Sequence, residues 1–238
     1  MADQAKNESL RQIARQYLRA RGEPSLRDDD DILREAHLLI THGNKLTQQA
    51  EFLVEMAELF GTRLLDPSTL PDAWDNLVRD HSEEDMAMLH RLFPHHSWPL
   101  GVAYPNLVAL VGHVDAGVVR NQLVAMMDVA SLFMEKAIRV GTMAVMYTSA
   151  HRNPLSTSSQ TWEEAVRDFE YEDFDVVREV FPRELWPHER HRVPYPNLVA
   201  LVRWNNEQWV TQSLLVAVMS GTRTMDEWRR IWDWRGNV

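Results

Sequence analysis

Apolar residues recur at spacings of three and four along almost the whole chain, the period of helices with one buried face. In residues 1–24, Leu10, Ile13, Ala14, Tyr17 and Leu18 share one side, while Arg11, Arg15 and Arg19 step by four beside them. Gly22 and Pro24 close the segment. The pattern predicts a helical arm, and a lone helix of that length is marginal in water until its apolar face finds a surface. That surface is either its own domain or a neighbouring subunit. Ser25, with Asp28 three residues on, predicts the next helix start, and Asp28 to Asp31 place negative charge where the helix dipole favours it. The acidic run lacks the central Gly of a calcium loop. Ile32, Leu33, Ala36, Leu39 and Ile40 mark a buried face. Gly43-Asn44 reads as a break, a second helix carries Ala50, Leu53, Met56, Ala57 and Phe60, and Gly61 ends it before a loop at Pro67 to Pro71.

One stretch occurs twice. Tyr104 to Val111 reads YPNLVALV, and Tyr195 to Val202 repeats all eight letters at an offset of 91. Upstream the match continues at an offset of 88: Trp74, Arg79, Asp80, Phe93, Pro94 and Trp98 meet Trp162, Arg167, Asp168, Phe181, Pro182 and Trp186. The second copy is therefore three residues longer between its Trp and its Tyr-Pro-Asn. Self-similarity at such a period predicts one helical module built twice. The three aromatic pairs are expected core anchors. The Tyr-Pro-Asn corners are expected to do turn and cap chemistry, with the Pro in the first turn of a helix.

Between the copies, Asp115 to Tyr147 is the most apolar long segment and predicts a central strut buried on most sides, with Gly141 admitting a close helix or a bend. His151 to Thr161 is polar and predicts a linker. The second copy starts at Trp162 and ends in Trp228, Trp232 and Trp234. The expected architecture is all-α, about nine helices in all: an arm (1–24), a lobe with the first copy (25–150), a linker (151–161) and a lobe with the second copy (162–238). Few Gly and no Asn-Gly turns argue against a β fold.

Composition narrows the function classes. A net charge of −10 disfavours coating nucleic acid by bulk positive charge, although 22 of the 25 cations are Arg, which grips phosphate in a fork. The absence of Cys removes disulfides, thiolate catalysis and Cys-ligated zinc. No signal peptide is read at the polar start, and the longest charge-free run, Gln208 to Thr222, is interrupted by polar residues. The expectation is a cytoplasmic protein, intracellular or in a virion, without a membrane partner or a cofactor.

Candidate chemistry is sparse. Glu51, Glu55 and Glu58 share a helical face, with Asp72 and Asp75 after a loop, the kind of carboxylate set with which all-α nucleotide hydrolases hold Mg²⁺. A solvated acidic face is the stronger reading. His188 and His191 stand three apart and His95-His96 are adjacent, but the first copy's pair aligns with Arg183 and Glu184, so no His metal site is shared by the copies. No phosphate loop or nucleophile elbow occurs.

Val166-Arg167-Asp168-Phe169-Glu170-Tyr171-Glu172-Asp173-Phe174-Asp175 resembles a V-R-E-F-x-Y-x-x-F-D helix segment of phlebovirus-type nucleocapsid proteins. Thr41-His42-Gly43-Asn44-Lys45 is similar to a T-x-G-N-K stretch of the same family. The resemblance covers about fifteen residues, in a different order along the chain. It implies an all-helical subunit that coats RNA and oligomerises through an N-terminal arm. On that basis Leu10, Ile13, Tyr17 and Leu18 would clasp a neighbour, and Arg79, Arg167 and Arg203 would line a nucleic-acid groove. The leading expectation is thus a non-catalytic, self-assembling homo-oligomer, nucleocapsid- or coat-like. A protein-interaction adaptor and a Mg²⁺-dependent hydrolase stand as alternatives.

Overall fold

The computed structural model of the chain describes residues 27–219 except 67, 69–71, 80, 154–156 and 188–190. The N-terminal arm, Ser25 and the C-terminal Trp228, Trp232 and Trp234 lie outside the described residues. Eight α-helices and four 3-10 turns make up the described regular structure, with no strand among them, so the fold is all-α.

Helix α1 runs unbroken over Asp29–Leu65. Its cap is Asp28, whose Oδ1 accepts from the Asp31 amide at 2.9 Å while Asp31 Oδ2 accepts from the Asp28 amide at 3.2 Å. A reciprocal pair thus joins Asp28 and Asp31, while the Ser25 expected to pair with Asp28 lies outside the described residues. Gly43-Asn44 does not break the helix. A Cβ at Gly43 would stand 3.5 Å from the Ala137 carbonyl oxygen and 3.7 Å from Val140, so the glycine marks a close helix approach. Gly61 likewise lies within α1, facing Leu123. Each glycine costs roughly 1 kcal/mol of helix propensity, less than the burial of Phe52, Leu53, Met56 and Phe60 on the same helix contributes. Ile32, Ala36 and Leu39 are buried, but Leu33 and Ile40, at the margin of that arc, are exposed.

Helices α2 (Asp72–Val78) and α3 (Glu83–Leu92) lead through a 3-10 turn at His95–Ser97 to the short α4 (Leu107–Leu110). After a turn at Val111–His113, α5 fills Ala116–Arg152. Then come α6 (Ser159–Ala165), a 3-10 turn at Tyr171–Phe174, α7 (Asp175–Val180), another at Arg183–Leu185, and α8 (Leu198–Met219).

The chain packs as two compact units. The middle unit is Ile40–Gly141. The flanking unit joins the described residues up to Leu39 with those from Thr142 on. In the middle unit Ala50, Leu53, Met56 and Phe60 of α1 form a core with Trp74, Leu89, Phe93, Leu107, Val119 and Met126, and α2 packs on α4. In the flanking unit α6 packs on α8.

Candidate assembly surface

Similar local features recur at matching positions of the two units. Ser82 and Asp85 cap α3 reciprocally, and 88 residues on Glu170 and Asp173 cap the turn that leads into α7 in the same way. Helix α3 spans positions that, 88 residues later, are occupied by the Tyr171–Phe174 turn and α7. The 3-10 turns His95–Ser97 and Arg183–Leu185 stand at the same offset.

The Tyr-Pro-Asn corners agree more closely still. Both Tyr-Pro peptides are cis. Asn106 Oδ1 accepts from the Ala109 amide and Asn197 Oδ1 from the Ala200 amide, each at 2.9 Å. Asn is therefore the cap, and each Pro precedes the helix instead of opening its first turn. The Tyr104 hydroxyl donates to the Phe93 carbonyl at 2.9 Å, and Tyr195 donates to Phe181 at 3.2 Å. Desolvation raises the pKa of both phenols. Trp98 meets Tyr104 edge-on at 5.1 Å and Trp186 meets Tyr195 at 5.0 Å. Trp74, Trp162, Phe93, Phe181 and Trp186 are buried and Trp98 is half-buried, which accounts for the aromatic pairs as anchors.

A buried charged cluster belongs to the flanking unit. Arg27 Nε donates to both Glu35 carboxylate oxygens, at 2.9 and 3.1 Å, and the Tyr147 hydroxyl donates to the same carboxylate. Desolvation, then the neighbouring Glu35 charge, pushes the Tyr147 phenol far above its ordinary range. The Arg27 backbone is held by Asn205, which accepts from its amide and donates to its carbonyl at 2.8 Å each, and by Trp209 Nε1 at 2.9 Å. Arg27 is thereby pinned to α8. Sequence periodicity gives no sign of this cluster, because its members are scattered over 183 positions of the chain.

The polar candidates are dispersed. Arg79, Arg167 and Arg203 are exposed, Arg79 in the middle unit and the other two in the flanking one. Arg79 donates to its own helix's Asn76 at 2.8 Å. Glu51, Glu55 and Glu58 lie on an exposed face of α1, and Glu55 stands 3.6 Å from His81. Among the described residues no group of three or more acidic or His side chains is placed to hold a metal ion. No described helix is long and apolar enough to cross a membrane.

Helix α5 departs from the buried strut its composition predicts. Val119, Met126, Ala130, Ala137 and Val140 are buried, but Val124 is 59% and Ile138 63% exposed, with Met127 and Met134 exposed beside them. A Cβ at Gly141 would meet nothing within 4 Å, so that glycine admits no close helix. One side of α5 in the middle unit therefore carries an apolar stripe open to solvent.

No protein family, curated protein or solved structure is significantly similar to the chain.

Proposed function

We propose that this protein is a non-catalytic, self-assembling structural subunit made of one helical module built twice, joined to its neighbours through an arm at residues 1–24. The open apolar stripe on α5 carries the reading. A contiguous apolar surface on a folded domain is the usual mark of a binding face. The matched caps, turns and Tyr-Pro-Asn corners support the duplication.

In its nucleocapsid-like form this reading assigns RNA to Arg79, Arg167 and Arg203, a role supported by their exposure and by the local resemblance of residues 166–175. A forked guanidinium at each would offset the overall acidity locally. Enzymatic Mg²⁺ chemistry has less support, because Glu51, Glu55 and Glu58 face solvent without a gathered partner set among the described residues, which do not include the Asp72 side chain.

Size exclusion with light scattering tests the assembly directly. The full chain is expected to run as an oligomer, and deletion of residues 1–24 is expected to give a folded monomer with unchanged helical circular dichroism. A full-length monomer would sink the proposal. The 260/280 nm absorbance ratio of the same peak reports nucleic acid. A protein-like ratio for the full-length oligomer, or a nucleic-acid ratio that survives removal of all three Arg side chains, would end the RNA assignment and leave assembly intact.

A further inference from the structure

We propose that the stripe formed by Val124, Met127, Met134 and Ile138 on α5 is the seat for residues 1–24 of a neighbouring copy. This rests on the arm-mediated assembly proposed above and names its acceptor. Val124 and Ile138 lie fourteen residues apart with Ser131 midway, and Met127 and Met134 lie seven apart. These are the two interlocking seven-residue rows of a helix seam, and all four apolar side chains are exposed. A partner helix must repeat the same period. Leu10, Ile13 and Tyr17 do so at steps of three and four. The seam from Val124 to Ile138 is about 21 Å long, and Leu10 to Leu18 needs about 12 Å of helix, so the arm fits within it.

Charge selects the arm over the other self-complementary occupant, a second α5. Asp128 and Glu135 run along one flank of the seam, seven residues apart and both exposed. Arg139 approaches Glu135 at 3.7 Å on that side. Pairing two copies of α5 in antiparallel fashion would set this acidic flank against its own duplicate, an arrangement that like charges disfavour. The arm brings Arg11, Arg15 and Arg19 beside its apolar face instead. Placing it in the seam sets a cationic row along the acidic one.

The chain has no Cys, so an introduced thiol is the only one present. Ile13→Cys and Ile138→Cys variants are mixed, oxidised and run on a non-reducing gel. A heterodimeric cross-link is expected, and it should disappear when Tyr171→Cys, an exposed site in the flanking unit, replaces Ile138→Cys. Met134→Glu with Ile138→Glu, both at solvent-exposed positions, should reduce the oligomer to the mass of a single chain while retaining helical circular dichroism. Self-cross-linking of Ile138→Cys alone would instead identify a paired α5 and overturn the inference. So would a cross-link that forms only within a chain carrying both thiols. An oligomer dissolved by deleting residues 1–24 but untouched by the two Glu substitutions would place the seat elsewhere and leave arm-mediated assembly standing. An oligomer untouched by the deletion would remove both.

Discussion

The two Tyr-Pro-Asn corners share their hydrogen bonds and differ in what surrounds them. In the middle unit, Phe93 packs edge-on against Phe60 at 6.2 Å and against Trp98 at 6.4 Å. In the flanking unit, Phe181 packs edge-on against Tyr147 at 5.2 Å and has the Arg27 guanidinium 5.6 Å above its ring. Tyr147 stands 87 positions after Phe60, so one oxygen atom separates the two anchors. That oxygen donates to the Glu35 carboxylate, which also accepts from Arg27. The same corner hydrogen bonds thus stand beside an apolar ring in one unit and beside an ionic cluster in the other, where Arg27 Nη1 is buried without a hydrogen-bond partner.

Removing the shared ring breaks both corners and should have the largest effect. Phe93→Ala and Phe181→Ala are each expected to cost about 3–5 kcal/mol, the usual range for a buried Phe. Phe181→Ala should lie at the upper end, because it also strips the face on which Arg27 rests. Urea denaturation of the two variants gives the comparison. Equal midpoints would mean the Arg27 contact adds nothing.

The oxygen itself is tested next. Tyr147→Phe leaves the half-buried Glu35 with Arg27 alone and should cost about 1–3 kcal/mol at neutral pH. The pH dependence has a definite sign. Folding raises the Tyr147 pKa, so its stabilisation is complete below the ordinary tyrosine value near 10 and is lost as pH rises above it, when the unfolded chain gives up its proton first. The wild type should therefore lose stability above about pH 10 more steeply than Tyr147→Phe does. The reciprocal Phe60→Tyr would bury a hydroxyl in an apolar site and should destabilise by a similar amount. Superimposable alkaline limbs for wild type and Tyr147→Phe would remove the phenol from the account.

Much of this architecture is legible in the sequence because it rests on local chemistry. The octapeptide repeat, the Asn caps and the aromatic anchors follow from residue types at fixed spacing, and so does the all-α class. Helix continuity through Gly43 and Gly61 does not, because a long-range approach of α5 and burial elsewhere on α1 outweigh glycine's local preference. The exposed side of α5 is equally hidden. Composition reports how apolar a helix is, and only packing decides which of its sides is covered. The Arg27–Glu35–Tyr147 cluster is invisible for the same reason, as its partners are 112 residues apart.

Cap removal is a smaller perturbation and should treat the copies alike. Asn106→Ala and Asn197→Ala are each expected to cost about 1 kcal/mol, since each leaves one first-turn amide without its acceptor. A larger loss at Asn197 would indicate that the uninterrupted α8 depends on its cap more than α4 does. The first copy interrupts its helix after Leu110, where the turn at Val111–His113 contains Gly112 and Asp115 Oδ1 accepts from the Gly117 amide at 2.7 Å to start α5 afresh. The second copy has Arg203 to Glu207 at that point and continues as one helix.

The finest distinction lies in the three residues that the second copy inserts between its Trp and its Tyr-Pro-Asn. They lengthen the loop enough for the Val193 carbonyl to accept from Trp186 Nε1 at 3.0 Å. The shorter first loop supplies no such acceptor, and the buried Trp98 Nε1 has no partner. Trp→Phe removes the indole nitrogen and similar volume at both sites, so packing losses largely cancel between them. What remains is the hydrogen bond, worth about 1 kcal/mol net. Trp186→Phe should therefore be more destabilising than Trp98→Phe by about that amount, and the first substitution should also weaken protection of backbone amides near Val193 from hydrogen exchange. A Trp98→Phe loss as large as that of Trp186→Phe would mean that Trp98 Nε1 gains an acceptor in solution, and that the longer loop serves something other than the indole.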